Sequence, residues 1–96
     1  MASFVVLITE TQQGETNITD SVSRANAFRQ EATAMGIQVQ STYWTMGEYD
    51  GVLIFDAPDD ETAAAAMCKL NAKGAVRTRT MRAFSADEMN AIFKRG

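Results

Sequence analysis

Two short stretches in which every residue is apolar, Phe4-Val5-Val6-Leu7-Ile8 and Val52-Leu53-Ile54-Phe55, constrain this chain more than any other feature. A run without polar alternation has no face to give to water, so each reads as a strand buried on both sides, at the centre of a sheet. The segments from about Ile37 to Met46 and from Val76 to Phe84 alternate apolar with polar residues instead, as edge strands with a wetted face do. Two central and two edge strands make a four-stranded sheet, and their order along the chain decides its topology.

The polar stretch Thr9 to Thr19, which contains Gly14, reads as a loop. A helix starts near Thr19-Asp20-Ser21, all good N-cap types, and carries Val22, Ala25, Phe28, Ala32 and Met35 as one apolar stripe. Gly36 follows the stripe, where a left-handed residue ends a helix at least cost. Strand two then runs into strand three, Tyr49 to Phe55, with only Gly47-Glu48 between them, which predicts a tight antiparallel hairpin with Trp44 opposite Gly51. Pro58 ends that strand, and Asp59-Asp60-Glu61 set negative charge at the positive end of a second helix reaching about Lys73. After the fourth strand, Ser85-Ala86-Asp87-Glu88 fits a capping box opening a short last helix that presents Met89, Ile92 and Phe93. The order is β-α-β-β-α-β plus a C-terminal helix, a ferredoxin-like α+β domain spanning residues 1–96 with an antiparallel sheet. In that topology strands one and three are central, which is where the two continuous apolar runs fall.

Composition excludes several function classes. With 46% apolar and 22% charged residues the chain is ordinary globular protein. It has no histidine and one cysteine, Cys68, so a His-based triad, an internal disulfide and a Cys-only metal site are ruled out, and neither metal nor cofactor is expected. Cys68 lies one residue off the Ala63–Met67–Leu70 stripe and reads as a small half-buried residue. The run Phe4 to Ile8 lacks a basic lead-in and is too short for a signal peptide or a membrane span, so a cytoplasmic protein is expected. Net charge is −3, with −7 over residues 1–60 and +4 over residues 61–96. An acidic whole argues against nucleic acid. The basic half either hydrates or meets an anionic ligand or the acidic half of a neighbouring subunit.

Candidate site residues follow from strand parity. Trp44 shares a face with Leu53 and Phe55, and these three with Arg79 are the expected lining of a small pocket, Trp44 stacking on a ligand or packing at an interface. The hairpin motif Gly47-Glu48-Tyr49-Asp50-Gly51 suits a turn, and offers Glu48 and Asp50 as a carboxylate pair with Tyr49 as proton donor if the chain does chemistry. Arg77 and Arg79 share one face of strand four and Arg82 takes the other. They either bind an anion or keep the edge from pairing. Six methionines, scattered through the chain, read as gap-fillers.

The segment Tyr43-Trp44-Thr45-Met46-Gly47-Glu48-Tyr49-Asp50-Gly51-Val52 resembles the GYD-domain family of small bacterial proteins. The similarity continues through Ala57-Pro58-Asp59-Asp60 and through Val76-Arg77-Thr78 to Arg82-Ala83-Phe84. The resemblance implies a fold akin to the dimeric α/β barrels and carries no catalytic residue with it.

Three functions fit these residues. The first is a small-molecule binding or regulatory module with its ligand at the sheet face or a subunit interface. The second, by fold analogy, is a cofactor-independent enzyme of the monooxygenase or cyclase/isomerase kind, and the third is a structural assembly subunit. The binding module ranks first because no catalytic constellation can be named. A homo-oligomer is expected in each case. Strands one and three are apolar on both faces, and two helices cover one face, leaving roughly 380 Å² in projection for a partner.

Overall fold

The computed structural model describes residues 1–96. Its elements in order are β1 (Ala2–Glu10), α1 (Gln12–Thr16), a 3-10 turn (Ile18–Asp20), α2 (Ser21–Ala34), β2 (Gln38–Trp44), β3 (Gly51–Ala57), α3 (Asp60–Ala72), β4 (Val76–Ala83) and α4 (Ala86–Phe93). The strands form one antiparallel sheet in the order β2-β3-β1-β4, the ferredoxin-like arrangement, with the two apolar runs on the central strands.

The pleat separates the two faces of each strand. Phe4 and Val6 of β1 pair with Phe55 and Leu53 of β3, and these side chains form the core with Phe28 and Ala32 of α2 and Ala63, Ala66 and Met67 of α3. Phe4 and Phe55 stack with ring centroids 5.3 Å apart. Both long helices therefore lie on one face. The other face, with Val5, Leu7, Val52 and Ile54 at its centre, has no helix over it, and these four side chains stay half-buried.

Local chemistry explains the element ends. Asp59 caps α3 by accepting the Thr62 N–H at 2.7 Å, and Ser85 with Glu88 forms the capping box of α4. Gly36 ends α2 with φ +84°. No helix is long and apolar enough to cross a membrane.

Four expectations change. The stretch Thr9 to Thr19 is not a plain loop: β1 runs on to Glu10, and α1 and the 3-10 turn follow. Tertiary bonds impose this order, since the Thr11 N–H and hydroxyl donate to the Ala75 and Gly74 carbonyls while the Thr11 hydroxyl caps α1. The hairpin keeps its expected register, Trp44 opposite Gly51, but its ladder stops there and residues 45–50 form a six-residue loop. Asp50 bridges two strands: its carbonyl accepts the Thr45 N–H across the hairpin at 3.0 Å, while toward β1 its N–H donates to the Ile8 carbonyl and its carboxylate accepts the Glu10 N–H, both at 2.8 Å. A β-bulge between Val39 and Ser41 also interrupts β2. The start of the α2 stripe is not buried, Val22 being 56% exposed, because this end of the helix turns Ser21, Arg24, Ala25 and Phe28 inward and leaves Val22 off that face. Cys68 is exposed on α3 instead of half-buried.

Candidate functional site

The cavity lies between the first half of α2 and the sheet end where β1 finishes. Its floor is Ile8, Gly51 and Leu53, which the pleat turns toward the helices, and Phe28 of α2 and Leu70 of α3 close the inner wall. Trp44, 51% exposed, forms the outer wall. The volume is about 160 Å³. Small side chains leave this space open: Ser21, Ala25 and Ala27 on α2 face Thr42 and Gly51 of the sheet. The indole is held in place by its Nε1–H, which donates to the Ser21 hydroxyl at 3.0 Å and ties β2 to the start of α2.

Polar groups collect at the end of β1. Continuing the alternation of Phe4, Val6 and Ile8 by one step puts Glu10 on the core face, and its side chain is only 6% exposed. A carboxylate there requires a partner. Arg24 of α2 supplies it with Nη2 at 2.7 Å and Nη1 at 3.4 Å, and the hydrogen bond to Glu10 holds the guanidinium above its ordinary pKa range despite partial burial. Arg24 Nε is buried with no hydrogen-bond partner, the only side-chain nitrogen or oxygen in the protein so placed. Lys73 reaches the rim while paired with Glu31 of α2 at 2.5 Å.

The structure divides the expected site residues. Trp44 and Leu53 line the cavity together. Phe55 is entirely buried in the core two residues further along β3 and does not contribute to the wall. Arg79 pairs with Leu7, so it projects from the opposite, open face of the sheet and is not the charged group of the cavity. Among the hairpin residues, Asp50 and Gly51 reach the cavity, Glu48 stays exposed, and Tyr49 gives its carbonyl to the Thr45 hydroxyl at 2.6 Å. Glu48 and Asp50 thus have different surroundings, Glu48 exposed and Asp50 bonded to the Glu10 N–H. Arg82 lies over the Phe84 ring at 4.4 Å and the Phe4 ring at 5.6 Å, a stacking role at the far end of the sheet. No group of three or more acidic or cysteine side chains is placed to hold a metal ion.

The family model of the GYD domain matches residues 4–93. This chain belongs to the GYD-domain family. A Thermus thermophilus relative, the glutamine synthetase and cystathionine beta-lyase binding protein, is 33% identical over 95 residues covering 98% of this GYD-domain chain and 100% of that protein. Among solved structures, the feast or famine regulatory protein from M. tuberculosis complexed with L-methionine is similar at a TM-score of 0.64 and 19% identity, over 90% of this chain and 52% of that one. The Mycobacterium tuberculosis leucine response regulatory protein matches at 0.62 and 18%, over 88% and 51%. A solved Thermus thermophilus structure matches at 0.58 and 25%, over 90% and 96%. The GYD-domain chain spans about half the length of the two mycobacterial regulators, and the likeness to them is one of fold.

Glu10, Arg24 and Ser21 were missed as site residues because the sequence reading ended β1 at Ile8. The signal was present: an acid in phase with three core residues implies a basic partner, and Arg24 and Arg29 are the only two basic residues in the first sixty.

Proposed function

We propose that this GYD-domain chain is a non-catalytic binding module that acts as a homo-oligomer, takes a small molecule into the cavity beside Trp44 and docks on metabolic enzymes. One observation carries the reading: a relative aligned over 98% of this chain and 100% of its own length is named for binding two enzymes, so its similarity to this chain runs throughout the binding protein itself. The enzymes of the partner class are those in that name, a glutamine synthetase and a cystathionine β-lyase.

The surface supports an oligomer. A compact monomer of 10.5 kDa exposes ~5,400 Å². This chain exposes 6267 Å². The difference, ~800 Å², is what one partner contributes to a standard interface. On the open sheet face the exposed side chains of Tyr43 and Met81 flank the four half-buried central apolar residues. The cavity supports the small-molecule part, being apolar-walled with a few placed polar groups.

The test is co-sedimentation of the purified chain with purified glutamine synthetase and cystathionine β-lyase from its own host. A faster-sedimenting boundary containing both proteins is expected with at least one enzyme. Independent sedimentation with both would overturn the enzyme-partner reading.

A further inference from the structure

The charges around the cavity beside Trp44 do not cancel. Glu10 has both carboxylate oxygens on Arg24, and Lys73 at the rim has its ammonium on Glu31. Asp50 is the lining charge left over, since it sits in no ion pair. Its Oδ2 accepts the Glu10 N–H at 2.8 Å, while Oδ1 accepts no hydrogen bond from the protein. The one buried side-chain polar atom without a partner is Arg24 Nε, so Asp50 Oδ1 is open to solvent. An acceptor that water reaches is one that a ligand's N–H can reach in its place.

The hairpin register sets this carboxylate beside an aromatic surface. Trp44 pairs with Gly51, and one step further the Thr45 N–H donates to the Asp50 carbonyl at 3.0 Å, so Trp44 and Asp50 are diagonal neighbours across the two strands. The indole is half exposed and its Nε1–H is already on Ser21, so what it offers a ligand is its π face. An aromatic face attracts a cation through the ring quadrupole, and a carboxylate does so through charge-assisted hydrogen bonds. Ile8, Phe28, Leu53 and Leu70 line the interior with hydrocarbon, and the volume of about 160 Å³ is close to the ~150 Å³ that accepts one benzene ring.

We propose that this cavity binds a small primary ammonium whose apolar body is no larger than a single ring, with the body between α2 and the sheet and the ammonium on Asp50 Oδ1 beside the Trp44 indole. The proposal rests on the reading of the chain as a small-molecule binding module and gives that module its ligand class. The positive charge follows from the unpaired carboxylate and the adjoining indole, the N–H donors from the open Oδ1, and the size of the body from the volume.

Trp44 is the only tryptophan, so its emission reports on the site directly. The full-length chain is titrated with benzylammonium, with benzyl alcohol, which has the same shape without the charge, and with benzoate, which carries the opposite charge. Calorimetry runs alongside the fluorescence. Benzylammonium is expected to bind at least tenfold more tightly than either of the others. Asp50→Asn keeps an oxygen for the Glu10 N–H and removes the charge, and should cut the preference for benzylammonium over benzyl alcohol to less than about threefold. Benzyl alcohol binding as tightly as benzylammonium, a preference for benzoate, or a preference that Asp50→Asn leaves intact would each overturn the proposal. Ala25→Leu fills the cavity from α2 and keeps the proposal testable if Asp50→Asn does not fold. It is expected to weaken benzylammonium at least tenfold with the circular dichroism unchanged, and benzylammonium binding unaffected by it would place the ligand elsewhere and overturn the proposal. Native mass spectrometry of the freshly purified chain separates this failure from that of the parent reading. A co-purifying neutral or anionic adduct sinks the ammonium proposal and leaves the small-molecule module standing. No adduct and no probe binding sinks both.

Discussion

Gly14 sits in α1 where a Cβ would lie 2.1 Å from the Ala75 carbonyl oxygen, so backbone meets backbone with no flexible side chain to give way. Gly14→Ala must push α1 off the α3–β4 connection, and a loss of about 1–3 kcal/mol is expected in urea unfolding. At the cavity mouth a single hydrogen bond fixes the indole. Removing it in Ser21→Ala costs about 1 kcal/mol at most, because both groups are reached by water in the unfolded and largely in the folded chain. The informative change is in motion: the steady-state fluorescence anisotropy of Trp44 should fall in Ser21→Ala while the far-ultraviolet dichroism stays as it was. An unchanged anisotropy would mean that packing, and not the Ser21 bond, holds the ring.

The helix caps set how the elements respond to acid. Hydrogen bonds from the Thr62 side chain and backbone N–H hold Asp59 below its ordinary value of 3.8, and the Ser85 backbone N–H and hydroxyl hold Glu88 below its ordinary 4.5. Both folded-state values are depressed, so the unfolded chain binds these protons first and each cap's contribution is complete above the ordinary values. It is lost as pH falls through the lower folded values. Helix content by circular dichroism should therefore hold down to about pH 4 and decline below it, with α4 fraying first, because none of its residues is buried. Ser85→Ala is expected to show part of that α4 loss already at neutral pH, since it removes the hydroxyl that accepts the Glu88 N–H and leaves only the Ser85 N–H to Glu88 carboxylate half of the box.

At the scale of the whole molecule, the Cα radius of gyration is 14.3 Å against ~12.5 Å for a compact chain of this length, and the principal extents are 48 × 31 × 18 Å. One face of the sheet carries neither of the long helices, and that face suits a second copy. Light scattering coupled to size exclusion should report at least twice 10.5 kDa at micromolar concentration. A charge placed in the middle of the open face, as in Leu7→Glu or Ile54→Lys, should return the monomer mass without unfolding it, because these side chains point away from the core. A wild-type monomer at that concentration, or variants that assemble unchanged, would remove the open face from the interface.

The sequence by itself determined the sheet. An apolar run can be buried on both sides only at a sheet's centre, so Phe4 to Ile8 and Val52 to Phe55 settled the strand order, and the helix ends followed from Gly36, Asp59 and the Ser85–Glu88 box, whose chemistry acts within a few residues. Face parity likewise put Trp44 with Leu53. The site depended on contacts that no local pattern contains. Glu10 meets Arg24 across fourteen positions, Asp50 crosses to β1 over forty, and Thr11 is held by Gly74 and Ala75 some sixty-three positions on. Those bonds lengthened β1, wound the expected loop into α1 and opened the hairpin tip. Arg79 shows the same limit: its face depends on its register with Leu7 across the sheet, and register between β1 and β4 is a tertiary property because sixty-five residues of chain separate the two strands.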